Sequence, residues 1–334
     1  MNYVMMILTF GISFAVSLLL YILFIPVLRR VKLGQKILEI GPKWHKTKEG
    51  TPTMGGLFFL TGMTVTLGAL YIGGVFDGAG MFFPINICFA LLNAAIGFVD
   101  DYVKLFKKRN EGLTAAQKMV LQIAVTAAYL AALKFSGCID TVTPLPFSSV
   151  SVDLGVFYYI IVGVMIVYII NTANLTDGLD GLAGSIAFVI AAMFVMVGVT
   201  GGMSELYLTE LALGGALAAF LIFNFYPAKI FMGDTGSLFL GAMLVGCAMR
   251  VGRPFVMLLA GLVYVLEGIS VMIQVTVFKL THGKRRFFKM APIHHHFELC
   301  GLSEVKIVAL FLALTVLVCA VSYYFISSNL PAAI

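Results

Sequence analysis

Polar and apolar residues do not alternate along this chain; they separate into blocks. Apolar runs occupy residues 3–28, 55–76, 82–100, 114–135, 154–173, 181–200, 205–224, 236–250, 254–279 and 304–327. A helix of roughly 20 apolar residues crosses the hydrocarbon core of a bilayer. Backbone in lipid must satisfy its own hydrogen bonds, so the runs are read as ten transmembrane helices. A β-barrel would instead show alternating segments of about ten residues. The eighth run is short, and Gly233–Ser237 offers an extension at its start. The expected fold is an all-α, polytopic membrane protein of about ten transmembrane helices, with residues 1–334 as a single domain and no repeat period.

Composition removes the alternatives. Hydrophobic residues make up 60% of the 334, charged residues 11%, and the mean hydropathy is +1.02. Soluble domains carry roughly 45–50% apolar and about 25% charged residues, and disorder needs low hydrophobicity with high net charge. Of five cysteines, Cys88, Cys247 and Cys319 fall in apolar runs and Cys138 and Cys300 in separate loops, with no CxxC spacing. They read as small buried hydrophobes and give neither a disulfide framework nor a zinc site. The first run lacks a basic flank before it and a small-residue cleavage site, so it reads as a retained helix.

The net charge of +6 and pI near 9.0 would suggest nucleic acid in a soluble protein. In a membrane protein the question is where the charges lie, because cytoplasmic loops collect Lys and Arg. With the N-terminus outside, the inside set holds seven basic residues in the first loop, five after the third helix, one after the seventh and six around the last loop. That is 19 of 22, leaving Lys134, Arg250 and Arg253 outside. Both termini are therefore expected outside and five loops in the cytoplasm. The same parity places all five histidines inside, with Asp100, Asp101, Asp177, Asp180 and Asp234. The long outside loop, 136–153, contains a Pro-Leu-Pro turn between β-branched residues, which suits a small β-hairpin.

Four inside segments carry candidate chemistry. Asp100 and Asp101 close the third helix, with Lys104 in reach of both at helical spacing. A solvated helix end explains Lys104 but not adjacent carboxylates at the negative pole. Those suit a hard cation such as Mg²⁺, or one carboxylate acting as a base beside a cation. Asn174, Asp177 and Asp180 recur every three residues in a segment that also holds Gly178 and Gly181, where capping would need only one of them. Phe231-Met232-Gly233-Asp234-Thr235-Gly236-Ser237 opens the eighth helix. Asp234 there is either an N-cap or the grip on Mg²⁺ beside phosphate bound at the helix N-terminus. No P-loop motif is present, so ATP hydrolysis is unsupported.

Pro292-Ile293-His294-His295-His296-Phe297-Glu298 follows the basic Lys284-Arg285-Arg286. Three consecutive histidines do not suit a tetrahedral zinc, and one or two imidazoles on phosphate or sugar fit better. The basic triplet is equally able to attract lipid headgroups. Glu267, with Ser270 and Gln274 on its face of the ninth helix, is either an intramembrane functional group or a partner for neighbouring helices.

Together with Lys48-Glu49-Gly50-Thr51-Pro52-Thr53-Met54-Gly55-Gly56, these motifs resemble the phospho-N-acetylmuramoyl-pentapeptide transferases, in order and over nearly the whole chain. The Asp-Asp pair and the Gly-Asp-Thr-Gly-Ser loop are shared across the polyprenyl-phosphate N-acetylhexosamine-1-phosphate transferase superfamily. Thr-Pro-Thr-Met-Gly-Gly and Pro-Ile-His-His-His-Phe are narrower. Gly301-Leu302-Ser303-Glu304 departs from the pattern, since many members carry Trp after the Gly, and a local contact at the start of the last helix is affected.

The resemblance implies an Mg²⁺-dependent reaction of UDP-MurNAc-pentapeptide with undecaprenyl phosphate, giving lipid I and UMP. It implies a multi-pass protein of the bacterial plasma membrane, a cytoplasmic active site, a homodimer and no nucleic-acid partner. Asp234 is the implied metal ligand, with Asn174 a second. Asp100 is expected to prepare the lipid phosphate, Asp101 to support it, and His294 to join the catalytic set. Lys48, Thr53, Asp177, Asp180, Phe231 and Gly233 are expected around uridine and diphosphate, with Phe231 stacking. Lys104, Lys108 and Lys118 would clamp phosphate, and Gln274 and His295 would sit near the sugar-phosphate. A relative acting on UDP-GlcNAc is the alternative enzyme. A secondary transporter, with polar groups near the midplane, is the alternative class.

Overall fold

The computed structural model describes residues 3–30, 48, 50–77, 80–106, 112–144 and 150–329. Lys108 lies outside the described residues. Each of the ten apolar runs forms helix. In chain order these are α1 (Tyr3–Arg30), α2 (Gly56–Ile72), α3 (Phe82–Phe106), α4 (Ala115–Phe135), α5 (Phe157–Thr176), α6 (Leu182–Thr200), α7 (Ser204–Asn224) and α8 (Gly233–Arg250), then α9 (Val256–Ala260), α10 (Leu262–Leu280), α11 (Ile293–Leu299) and α12 (Glu304–Ser327). The ninth run is divided at Gly261, so its spanning part is α10. The short α11 inside the last loop is a departure from the expected pattern. Between α4 and α5, β1 (Val142–Pro144) and β2 (Ser151–Asp153) pair antiparallel, as the hairpin reading requires.

Eight helices are long and apolar enough to cross a membrane among the described residues. Of the remaining two long helices, α2 has 17 residues, and α8 carries Asp234 and Arg250 in its 18. Position explains the polarity of α8. Every residue from Thr235 to Met249 is buried within the protein, against α3, α5 and α2, so α8 needs no lipid-compatible surface. Small residues allow this packing. A Cβ on Gly56 would stand 2.4 Å from Gly236 Cα, and one on Gly241 would stand 2.7 Å from Ile170 Cα.

The most consequential contact is at Gly97 of α3. A Cβ there would lie 2.2 Å from the Asp234 carbonyl oxygen and 2.6 Å from the Thr235 nitrogen. The missing side chain thus lets the start of α8 press against α3, one turn before Asp100 and Asp101. Gly97→Ala should lower stability by about 1–3 kcal/mol, the usual cost of overpacking, and should reduce turnover out of proportion to the stability lost. Thermal midpoint and turnover measured on the same detergent preparation check this; unchanged turnover would contradict it.

Candidate active site

Five segments assigned to one side of the membrane meet at one end of the bundle. Their centre is Asp234, in the first turn of α8. Its Oδ2 accepts from Lys118 Nζ at 2.8 Å and from Lys104 Nζ at 3.1 Å, and its Oδ1 accepts from Asn174 Nδ2 at 2.9 Å. Asn174 Nδ2 also donates to Ser237 Oγ, one turn further along α8. Lys118 comes from the first turn of α4, whose start is fixed by a capping box between Thr114 and Gln117.

The two adjacent aspartates of α3 do different things. Neighbours on a helix do not share a direction. Asp100 turns toward the lysines: its Oδ2 lies 2.5 Å from Lys104 Nζ, and its Oδ1 accepts the Leu113 N–H at 2.7 Å. Asp101 turns onto α8. Its carboxylate accepts the backbone N–H groups of Asp234 (3.1 Å) and Thr235 (2.9 Å) and the Thr235 hydroxyl (2.7 Å). These are the donors that a helix start leaves without partners, so Asp101 caps α8 from a neighbouring helix. Its negative charge also meets the positive end of the helix dipole. Asp100, Asp101 and Asp234 can each present one oxygen within 4.8 Å of the others, a grouping able to hold a metal ion.

The Thr51–Gly56 motif lies along the loop before α8. Phe231 N–H donates to the Pro52 carbonyl, Gly55 N–H to that of Phe231 and Gly56 N–H to that of Met232, each at 2.8 Å. Met54 adopts a positive φ of 69°, and Gly55 and Gly56 sit where a Cβ would strike Phe231 and Gly236. Thr53 is buried beside Gly233. The motif therefore has a local purpose: it seats the start of α2 against the start of α8.

Lys48 is held between Asp180 Oδ1 (2.7 Å) and Glu304 Oε1 (2.6 Å), below the Tyr226 ring. Burial alone would lower its pKa, but the bonds and charges of Asp180 and Glu304 outweigh burial and raise it. Asp180 Oδ2 also accepts the Ala228 N–H, and Glu304 accepts the Asp180 N–H. This clasp ties the first loop, the Asn174–Gly181 loop, the 225–230 segment and the start of α12 together. Glu304 was missed in the sequence, where it reads as an acidic first turn of an apolar helix. Asp177 is half-buried beside these groups. Burial, then the charges of Asp234, Asp101 and Asp180, push its carboxyl well above the usual range, against the Gly233 N–H.

The last inside loop closes this end of the bundle. Gln274 of α10 accepts the Phe287 and Phe288 N–H groups (3.1 and 2.9 Å) and donates to the Phe288 carbonyl. Its amide shapes the segment carrying Lys284–Arg286. His294 is fully buried, with Nδ1 3.1 Å from Glu267 Oε2, while His295 Nδ1 pairs with Glu298 Oε2 at 2.7 Å. His296 accepts the Lys289 N–H. Of the expected site residues, Asp100, Lys104, Lys118, Asn174 and Asp234 form one hydrogen-bonded unit with Asp101 beneath it. Lys48 and Asp180 form a second, and Phe231, Gly233 and Thr53 line the junction between α2 and α8.

Glycosyl transferase family 4 matches residues 83–252, and the phospho-N-acetylmuramoyl-pentapeptide-transferase signature 1 matches residues 48–60. A phospho-N-acetylmuramoyl-pentapeptide-transferase of Clostridium botulinum (strain Alaska E43 / Type E3) is 44% identical over 93% of each chain. The chain belongs to the phospho-N-acetylmuramoyl-pentapeptide transferase family. Relatives with the same name from Acetivibrio thermocellus and Listeria welshimeri are 42% and 40% identical, covering 94% and 93% of this chain and 93% and 95% of their own. As a member of this family the chain is a transferase and a multi-pass membrane protein. The signature falls on the Lys48 clasp and the α2–α8 junction, and the family 4 match spans Asp100 through Asp234.

Proposed function

We propose that this transferase moves the phospho-N-acetylmuramoyl-pentapeptide group from a UDP-linked donor to undecaprenyl phosphate, releasing UMP and leaving lipid I. The observation that carries the reading is the Asp234–Asp100 pair, bridged by Lys104 and with Lys118 on Asp234, at one end of an apolar helical bundle. One reactant is aqueous and anionic, and the other is anchored in lipid. Charged groups gathered at one end of a membrane bundle are placed to meet both.

In the proposed reaction an oxygen of the lipid phosphate forms a bond to the sugar-linked phosphorus. The bond between that phosphorus and the bridging oxygen breaks, and this oxygen departs with UMP. One phosphoanhydride replaces another, so neither water nor ATP is consumed. Asp100 orients the lipid phosphate and takes its proton when it carries one, with Lys104 holding the carboxylate in place. Lys104 and Lys118 offset the charge of the phosphates as they approach.

The hard oxygen donors of Asp234 and Asn174, with Asp100 adjacent, fit Mg²⁺; both oxygens of Asp101 are committed to α8. When bound, Mg²⁺ would neutralise diphosphate charge and polarise the scissile P–O bond. Chelation with EDTA should abolish UMP release and added Mg²⁺ should restore it; release that persists in EDTA would remove the metal from the mechanism. The basic bias of the inside loops supports a cytoplasmic active site in a bacterial plasma membrane, with residues 1–334 acting as one unit. The family resemblance supports a homodimer. Substrate choice is tested by supplying undecaprenyl phosphate with either donor. UMP release with UDP-MurNAc-pentapeptide but not UDP-GlcNAc is expected, and the reverse preference would overturn the assignment.

A further inference from the structure

Glu267 is fully buried in α10 and faces the equally buried His294, with Oε2 3.1 Å from Nδ1. The pair stands at ion-pair distance, and neither side chain has a hydrogen-bond partner among the described residues. The far edge of the imidazole faces Gly178: a Cβ there would stand 2.3 Å from Nε2 and 2.8 Å from Cε1. Gly178 lies in the turn between the end of α5, whose Asn174 grips Asp234, and Asp180, which grips Lys48. Carboxylate, ring and glycine thus form a line from the middle of α10 to the loop that frames the site.

A sealed carboxylate–imidazole pair is a poor source of stability, since well-packed apolar residues often serve as well or better. Ionisable groups inside a membrane bundle usually have a function. Neither Glu267 nor His294 is exposed, so neither touches a substrate in this conformation. We propose that Glu267 is a positioning residue. It fixes the His294 ring, the ring sets the seat of Gly178, and that seat sets the reach of Asn174 and Asp177 toward Asp234. A carboxylate only accepts hydrogen bonds, so for Glu267 to fix the ring the proton must stand on Nδ1, which faces it at 3.1 Å. The inference rests on the transfer reading above, which wild-type UMP release judges separately.

The test is a double-mutant cycle on the full-length protein in detergent, with UMP release at saturating substrates as readout. Glu267→Leu and Gly178→Ala should each lower kcat by about a hundredfold. Combined, they should fall no more than about threefold below the worse single variant, because the ring that couples them is already displaced. The thermal midpoint of Glu267→Leu should be unchanged or higher, and Glu267→Gln should stay within about tenfold of wild-type kcat. Multiplicative losses, or Glu267→Leu within about threefold of wild type, would overturn the proposal. A second measurement does not depend on the Leu variant folding. In ¹⁵N-histidine-labelled wild type, the His294 signal, assigned by its absence from His294→Gln, should show a proton on Nδ1. A ring without that proton would equally overturn it.

Discussion

Asp234→Asn will lower UMP release by at least about a thousandfold while the protein still purifies as a folded, detergent-soluble species. The size follows from what the carboxylate holds. Two ammonium groups and the Asn174 amide converge on its two oxygens, so its charge organises the site before any substrate arrives. Asn keeps the shape but loses the charge, and its amide N–H₂ would face an ammonium group or the Asn174 N–H₂. Folding should survive because Asp234 is not what caps α8; Asp101 is. Turnover and thermal midpoint on one preparation check both halves of the prediction. Turnover within about tenfold of wild type would remove Asp234 from the mechanism.

The second large effect separates the two adjacent aspartates. Asp100→Asn should lower kcat by about a hundredfold to ten-thousandfold, the range supplied by a positioned base. Asp101→Asn should be far milder, about tenfold, because Asn is as good a helix cap as Asp and can still accept from the start of α8. Asp101→Ala should do more harm than Asp101→Asn and lower stability by about 1–2 kcal/mol, the cost of a lost cap. Kinetics and thermal unfolding of the three variants side by side decide it. If Asp101→Asn is as inactive as Asp100→Asn and equally stable, Asp101 takes part in the chemistry and is not only a cap.

Much of this site was legible in the sequence because the membrane restricts where polar residues can go. Loop parity placed Asp100, Asn174, Asp177, Asp180 and Asp234 on one side, and charges on one side of a bundle have few places to meet. The ten helices were legible for the same reason, and β1 and β2 fall where the β-branched residues of the long outside loop suggested a hairpin. The rest depends on tertiary contacts that leave no local signal. Gly97 reads as an ordinary helix glycine until α8 crosses it. Glu304 reads as an acidic first turn, although its partners Lys48 and Asp180 lie 256 and 124 positions away. The split of the Asp-Asp pair was within reach of helical geometry, since adjacent side chains diverge, but only the position of α8 shows which residue faces it. Nor does the sequence show that the Gln274 amide, expected near the sugar-phosphate, also holds the backbone of Phe287 and Phe288.

The central claim is that the carboxylates at the start of α8 form a metal-dependent diphosphate site, with Asp234 at its centre. The most direct measurement is a Mn²⁺ titration followed by electron paramagnetic resonance, with purified protein and UMP present. One Mn²⁺ per chain should bind in the wild type, Mg²⁺ should displace it, and Asp234→Asn should bind none above the level of UMP alone. Equal binding by wild type and Asp234→Asn would contradict the account.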